Sequence, residues 1–201
     1  ERAPTLHAAR LAGAPVEQRT MTGLSVLLQS NALRQAIAPY VLGGTVSFET
    51  EAPDTRAIRH RMAASDGFYP WLVATTGEAD GDAVLGYAYA TKFRERPAYR
   101  YVVETSIYMA GSAQQRGTGR LLYEALIDTL RAQGFTQAIG VLSLPNDASI
   151  TLHEAVGFRR AGVYREVGFK QGRWIDVGFW QCRLNEGTVP PKEPRAFREV
   201  G

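Results

Sequence analysis

Two glycines stand just before a helix-forming segment in the sequence QQRGTGRLL, residues 114–122. Gly117 and Gly119 carry no Cβ atom, so the backbone at these positions can approach an oxyanion closely. The first N–H groups of a helix have no partner within the helix, and the helix dipole favours negative charge at that end. The spacing of Gln114, Gly117 and Gly119 therefore predicts a cradle for a diphosphate. A glycine-rich turn that binds nothing is the alternative, because short glycine motifs are common.

Two familiar nucleotide-binding loops do not fit this stretch. A Rossmann dinucleotide loop has a different glycine spacing and needs an acidic residue about 20 positions later. A Walker loop needs a lysine and then a serine or threonine directly after the glycines, whereas Arg120 and Leu121 follow here.

A carboxylate lies within the strand-like run RYVVETSIYM, residues 100–109. By strand alternation, Glu104 shares a face with Ser106 and Tyr108. A buried carboxylate is costly unless it is paired or its pKa is raised. Glu104 is therefore a candidate general base. A glutamate that faces water on an edge strand is the alternative.

A histidine and an asparagine occupy the later segment SLPNDASITLHEAVGF. The ordinary pKa of His153 suits proton transfer near neutrality, although a half-buried helix histidine without chemistry explains it too. Asn146 precedes the same predicted helix, and a plain helix-start signal is the alternative reading there, because Asp147 could cap the helix.

A basic loop, KFRERPAYRY, precedes Glu104 directly and contains Arg94, Arg96 and Tyr99. Guanidinium groups can form paired hydrogen bonds with a carboxylate or phosphinate. A solvated basic loop is the alternative. Phe48 could line a ligand pocket or belong to the core. Three tryptophans are assigned to the core or an interface, namely Trp71, Trp174 and Trp180.

The elements that must position these residues follow from apolar spacing and from Gly, Pro and Asp punctuation. Helices are predicted over residues 31–42, 53–64, 119–133 and 147–157. A first strand is predicted at 25–29 and an extended segment at 45–51, followed by strands at 71–76, 83–93 and 100–109, with a turn at 77–82. A buried strand at 136–144 and a hairpin over 158–184 complete the chain. The predicted order of strand, helix and strand around the glycines implies a right-handed crossover and a parallel strand pair. The fold class is therefore α/β (α+β).

The composition is that of one domain with tails: 201 residues, 45% of them apolar, with a formal charge of +3. We expect a poorly ordered extension at 1–20, a domain at 21–186 and an extended proline-rich tail at 187–201. A single cysteine, Cys182, excludes an intrachain disulfide, and no apolar run reaches the length of a membrane span. These properties predict a soluble protein of the cytoplasm.

The motifs together resemble the GCN5-related N-acetyltransferase (GNAT) superfamily, and within it the phosphinothricin N-acetyltransferase group. The resemblance runs from roughly residue 44 to 184 and rests on VSFETEAP, YPWLVA, GYAYATKFRERPAYRYVVETSIYM, QQRGTGRLL, LPNDASITLHEAVGF and VGFKQGRWIDVGFWQ. It implies the GNAT fold: a mixed, mostly antiparallel sheet with a central splayed parallel strand pair, flanked by helices. It also implies acetyl-CoA as cosubstrate, no metal, and often a homodimer.

The resemblance assigns roles to residues at matching positions. Glu104 matches the catalytic glutamate, and His153 is a second catalytic residue that acts as acid, second base or positioning group. The cofactor residues would be Ile107, Tyr108, Met109, Gln115, Arg116, Gly117, Thr118, Gly119, Arg120 and Asn146. The acceptor residues would be Phe48, Arg94, Arg96 and Tyr99, with arginine rather than lysine at position 94.

The resemblance implies acetylation of the α-amino group of an anionic amino acid, such as phosphinothricin, methionine sulfoximine or methionine sulfone. Such an activity would give antibiotic or herbicide resistance. Acetylation of another amine, peptide or aminoglycoside is the first alternative, and a non-catalytic sensor of acetyl-CoA is the second. Nucleic-acid binding rests only on the sequence pI of about 9.1, without the aromatic and basic stripe that such proteins use, so neither nucleic acid nor a membrane is expected as a partner.

Overall fold

The computed structural model describes residues 6–9, 17–19, 23–65, 67–75, 83–111, 114 and 117–200. The helices are α1 (Gly23–Leu42), α2 (Thr55–Ala64), α3 (Thr118–Gln133) and α4 (Asp147–Ala155). The strands are β1 (Leu6–Ala9), β2 (Glu17–Arg19), β3 (Trp71–Thr75), β4 (Val84–Lys92), β5 (Val102–Met109), β6 (Gln137–Leu144), β7 (Arg159–Lys170) and β8 (Arg173–Arg183). Short 3₁₀ turns occur at Pro97–Tyr99 and Phe197–Glu199.

The described strands form one mixed sheet in the order β2-β1-β3-β4-β5-β6-β8-β7. β1 pairs with β3 and β5 with β6 in parallel, and the other neighbours are antiparallel. The β5–β6 pairing covers only Val102–Thr105 against Gln137–Gly140, although both strands continue for four more residues. The predicted fold class, with its central splayed parallel pair, is confirmed.

Two apolar clusters cover the two faces of the sheet, because successive side chains of a strand point to opposite sides. On one face, α3 packs over Leu72, Ala74 and Val103. On the other face, α1 and α2 pack over Trp71 and Val73. The central strand β5 is therefore held between two layers of helix, which fixes the site residues that it carries.

The predicted helix after the glycines is confirmed as α3. Its buried stripe contains Leu122, Tyr123, Leu126, Ile127 and Leu130, whereas Leu121 is half exposed. Gly134 ends the helix in the left-handed conformation, as the sequence predicts.

The predicted strand at residues 25–29 is wrong, because these residues belong to α1. This segment holds good helix formers and no Gly or Pro between Gly23 and Pro39, so helix propensity continues through it. The extended segment predicted at 45–51 consists of bends instead. Ser47 Oγ accepts a hydrogen bond from the Glu49 N–H, and the Lys170 ammonium donates to the carbonyl oxygens of Val41 and Ser47. These contacts hold the segment as a loop against the β7–β8 hairpin.

The two ends of the chain differ from the expectation. Residues 6–9 and 17–19 of the predicted extension are strands that pair with the sheet. The tail is not wholly a surface segment, because Ala196 and Phe197 are buried. The Phe197 side chain joins the α3-side core, which an exposed tail would leave in water. The predicted turn at 77–82 lies outside the described residues.

Within the described part of the chain, no helix is both long and apolar enough to cross a membrane.

Candidate active site

The site is built where β5 and β6 separate. Thr105 and Gly140 form the last rung of the parallel pair, and beyond it the strands continue to Met109 and Leu144 without pairing with each other in the described structure. A strand edge without a strand partner offers N–H and C=O groups to an extended ligand. The V-shaped opening between the strands therefore suits an arm that lies alongside Ile107, Tyr108 and Met109.

The glycine loop leads into α3 at the same end of the sheet. Gly117 is the N-cap with a φ of 78°, and no side chain caps the helix there. A Cβ added to Gly117 would meet nothing within 4 Å, so the protein leaves space beside this backbone. The positive φ is what requires glycine at this position. A Cβ at Gly119 would make only ordinary contact with Met109, at 3.4 Å.

The side chain of Arg120, a predicted cofactor residue, has a partner on its own helix. The Arg120 side chain pairs with Glu124 along the helix, with Nε 2.8 Å from Oε1. Its N–H, with those of Thr118 and Gly119, belongs to the first turn and has no partner within the helix. Gln114 donates from Nε2 to the Tyr40 hydroxyl, which donates to the Met109 carbonyl oxygen, each at 2.7 Å. The predicted cofactor residues Gln115 and Arg116 lie outside the described residues.

Glu104 lies on the central strand β5, so the edge-strand alternative does not apply. Its side chain is 33% exposed, and Oε2 lies 3.9 Å from Nη1 of Arg94. Burial raises the pKa of Glu104, and the positive charge of Arg94 opposes that shift. The predicted alternation is confirmed by Tyr108, which packs against Tyr40 of α1 on the same face. Glu104 therefore presents a partly desolvated carboxylate on the α1–α2 side of the sheet.

His153 is buried on the other side of the sheet. Its Nε2 lies 2.9 Å from the Tyr123 hydroxyl, and its Nδ1 lies 2.8 Å from the Ser149 carbonyl oxygen. Burial lowers the pKa of His153 to about 4. Tyr123 also contacts Thr105, which follows Glu104 in β5 and so points to the opposite face. The structure therefore does not bring His153 and Glu104 together as a directly hydrogen-bonded pair.

Sequence reasoning missed Thr105 and Tyr123. Thr105 Oγ1 lies 2.8 Å from the Tyr123 hydroxyl, and both side chains are buried. Tyr123 lies in the predicted helix, four residues after Gly119, and its hydroxyl was the signal that could have identified it, because a buried hydroxyl needs a partner.

The predicted acceptor residues lie on exposed loops. The Arg94 guanidinium stacks over the Phe93 ring, 4.2 Å from its centroid, and it contacts Glu104. Tyr99 packs edge-on against Phe93. Phe48 lies against Gly168 of β7, where a Cβ would overlap its ring. Among the described contacts, none links Arg96, Tyr99 or Phe48 directly to Glu104.

Asn146 stands at the mouth of the opening, just after β6. Its Oδ1 accepts a hydrogen bond of 3.2 Å from the Ser149 N–H, so it is the N-cap of α4. The helix-start signal predicted for this place is thus carried by Asn146 rather than by Asp147.

Comparisons with known proteins agree with this architecture. The acetyltransferase (GNAT) domain family matches residues 31–178. The phosphinothricin N-acetyltransferase of Streptomyces viridochromogenes is 37% identical over 186 residues, which is 92% of this chain and 97% of that protein. The L-methionine sulfoximine/L-methionine sulfone acetyltransferase of Pseudomonas paraeruginosa is 37% identical over 158 residues, 78% of this chain and 90% of that protein.

A solved structure shows the same likeness in three dimensions. The phosphinothricin acetyltransferase of Sinorhizobium meliloti, crystallised with acetyl-CoA, superposes with a TM-score of 0.74 at 37% identity and covers 86% of this chain and 90% of that chain. With the splayed strand pair and the glycine loop at its mouth, these matches show that the chain belongs to the GNAT family of acetyltransferases.

Proposed function

We propose that this chain transfers an acetyl group from acetyl-CoA to the α-amino group of a small anionic amino acid, with Glu104 as the general base. Phosphinothricin, methionine sulfoximine and methionine sulfone are the acceptors that we expect, and resistance to such compounds would follow. The observation that carries the proposal is the partly buried Glu104 carboxylate, with its raised pKa, directly beside the point where β5 and β6 part. The activities of the two relatives support the choice of acceptor.

The residues present fit acetyl-CoA. The open space at Gly117 and the N–H groups of Thr118, Gly119 and Arg120, which have no partner within the helix, suit its diphosphate. The main chain of Ile107, Tyr108 and Met109 suits its extended pantetheine arm. Asn146 stands close to the same opening. Gln115 and Arg116 complete the predicted set. Acetyl-CoA supplies an acyl thioester, which is reactive toward a neutral amine.

The reaction requires the acceptor ammonium to lose a proton before its nitrogen can form the amide bond. As that bond forms, the carbon–sulfur bond of the thioester would break, and the second N–H proton would leave with CoA as its thiol. Glu104 accepts that proton, and its raised pKa brings it closer to neutral pH, where a general base works best. Arg94, 3.9 Å from Glu104, is close enough to pair with an acid group of an acceptor bound there. The proposed acceptor surface also includes Arg96, Tyr99 and Phe48 on the neighbouring loops. The positive charges of Arg94 and Arg96 disfavour polycationic acceptors.

The test is thiol release from acetyl-CoA with a panel of acceptors: the three expected compounds, glutamate, lysine, a short peptide and an aminoglycoside. We expect turnover with the anionic amino acids. Glu104→Gln should lower kcat at least about 100-fold, as expected for loss of a general base, while calorimetry shows an unchanged affinity for acetyl-CoA. Glu186→Gln removes an exposed carboxylate that pairs with Arg183 and should leave kcat unchanged.

Three outcomes would contradict this proposal. Turnover only with cationic amines or peptides would assign the chain to another acceptor class. Binding of acetyl-CoA without turnover of any acceptor would indicate a sensor. An unchanged kcat in Glu104→Gln would remove the assigned base.

We also propose that the chain acts as a homodimer in the cytoplasm. The β7–β8 hairpin exposes Phe169 and Trp174, which are 61% and 62% exposed and pack against each other. Large exposed aromatic side chains often mark an interface. Sedimentation velocity should give twice the 22.1 kDa mass of the chain, and Phe169→Asp with Trp174→Asp should give the monomer. A monomeric wild type at micromolar concentration would refute the dimer.

A further inference from the structure

Three buried polar side chains form a hydrogen-bonded chain behind the proposed active site. Thr105 of β5, Tyr123 of α3 and His153 of α4 are all buried. Thr105 Oγ1 lies 2.8 Å from the Tyr123 hydroxyl, which lies 2.9 Å from His153 Nε2. The chain ends at the Ser149 carbonyl oxygen, 2.8 Å from His153 Nδ1. It therefore ties together three elements that carry the site.

The direction of each hydrogen bond follows from the groups involved. The Ser149 carbonyl can only accept, so His153 carries its proton on Nδ1. Nε2 then has a free lone pair, and the Tyr123 hydroxyl donates to it. The Tyr123 oxygen in turn accepts from Thr105, whose contact with the Ile139 carbonyl is longer, at 3.3 Å. Burial keeps His153 neutral, since its pKa is lowered to about 4.

The chain lies at the vertex of the V-shaped opening. Thr105 pairs with Gly140 in the last rung between β5 and β6. The His153 ring rests directly on Gly140: a Cβ there would lie 2.5 Å from Cδ2 and 2.6 Å from Nε2 of His153. The ring thus occupies the place of a side chain at the point where the two strands part.

Tyr123 also lies on the helix that begins at the glycine loop. It follows Gly119 by four residues, which is one helical turn, on the same side of α3. The side chain that contacts the vertex is therefore carried by the helix whose first N–H groups face the proposed diphosphate site. Through Tyr123, the position of that helix end is coupled to the position of the strand vertex.

We propose that Tyr123 is a positioning residue that, through Thr105 and neutral His153, holds the diphosphate cradle at a fixed distance from the strand vertex. The inference rests on the proposed function, because it places the thioester of acetyl-CoA against Glu104. His153 is then a positioning group as well, and not the acid or base of the reaction: both its ring nitrogens are occupied, and Glu104 lies on the other face of the sheet.

The kinetic test compares Tyr123→Phe and Thr105→Val with two controls. We expect each of the two variants to lower kcat about tenfold, while the dissociation constant of CoA and the acceptor KM change less than threefold. Thr105→Ser retains the hydroxyl and should restore activity. Tyr87→Phe removes a buried hydroxyl that has no hydrogen-bond partner in the described structure, so it should retain wild-type kcat. Thermal melting shows whether each variant is folded, and the stoichiometry of CoA binding gives its active fraction. Each kcat is divided by that fraction.

Two spectroscopic measurements are independent of the acceptor. The carbonyl ¹³C resonance of bound [1-¹³C]acetyl-CoA should shift in Tyr123→Phe and Thr105→Val but not in Tyr87→Phe. The ¹⁵N resonances of His153 should show a neutral ring with the proton on Nδ1 from pH 6 to 9. If the wild type acetylates no amino acid but these spectra are as expected, the proposed acceptor fails and the positioning role stands. An unshifted thioester resonance in both variants, a proton on Nε2, or titration of His153 in this range would overturn the inference.

Discussion

Two opposing effects act on the Glu104 carboxylate. Burial disfavours its charged form and raises its pKa, and the guanidinium of Arg94 favours the charged form and lowers it. The burial effect is the larger of the two, so the net pKa is raised. Because the carboxylate keeps 33% of its exposure, solvent screens the attraction to Arg94 and limits its size.

The pH dependence of turnover should reveal this balance. Glu104 acts as a base only when it is ionised, so kcat falls as the pH drops through its pKa. Arg94→Met removes the charge that lowers this pKa, so the acidic limb of the kcat profile should move to higher pH. Arg94→Lys retains the charge and should leave the limb near its wild-type position. The profiles are measured at saturating acceptor, because Arg94 also belongs to the proposed acceptor site. Coincident profiles for the two variants would contradict the assignment of the limb to Glu104.

Individual residues were predictable where local pattern decides their position. Alternation along β5 placed Glu104, Ser106 and Tyr108 on one face, and the structure agrees. For His153, the sequence predicts a second catalytic residue but leaves its role open between acid, second base and positioning group, because its partner Tyr123 is 30 positions away in the sequence. No local pattern reports such a contact.

At the scale of elements, α3 has a glycine in the left-handed conformation at each end. Gly117 has a φ of 78° at the N-terminus, and Gly134 has a φ of 93° at the C-terminus. Any other residue is strained at either position. A Cβ would meet no atom within 4 Å at Gly117 and only Pro194, at 4.0 Å, at Gly134. The two positions therefore have the same kind of backbone strain and similar free space, and only Gly117 lies at the proposed diphosphate site. They form a matched pair for mutagenesis.

Substitution of each glycine by alanine should separate strain from ligand contact. Gly117→Ala and Gly134→Ala should each lower the free energy of unfolding by about 1 kcal/mol. Only Gly117→Ala should also weaken CoA binding, at least about tenfold, because its new methyl group lies where the backbone meets the diphosphate. Isothermal titration calorimetry with CoA gives the affinities, and urea unfolding gives the stabilities. Equal affinities for the two variants would contradict the cradle.

Most elements were predictable because their apolar spacing or turn residues define them, as in α3 and the β7–β8 hairpin. The start of α1 was not, since residues 25–29 combine apolar side chains in a run that fits a strand or a helix equally well. The loop at 45–51 was mistaken for an extended segment because the contact that shapes it comes from Lys170, more than 120 positions later. Long-range hydrogen bonds of this kind override local propensity.

At the scale of the whole molecule, the C-terminal segment packs against the segment before β3 and the end of α3. The Phe197 N–H donates to the Phe68 carbonyl oxygen at 3.0 Å, and the Arg195 N–H donates to the Gln133 carbonyl oxygen at 2.8 Å. The Gln133 side chain donates to the carbonyl oxygens of Phe68 and Arg195. The segment before β3, the end of α3 and the tail are thereby joined, although composition alone predicted an extended tail.

Burial of one aromatic ring should account for much of the stability that the tail contributes. Phe197 is 4% exposed and belongs to the α3-side core, so Phe197→Ala should lower the free energy of unfolding by about 3 kcal/mol or more. Val189→Ala changes a side chain in the same tail that is 100% exposed, and it should alter the stability by less than about 0.5 kcal/mol. Urea denaturation of the two variants at neutral pH measures the difference. Equal stabilities would show that the tail does not pack against the domain in solution. A loss of stability in Phe197→Ala alone would show that the C-terminal 3₁₀ turn unfolds cooperatively with the core that contains β3.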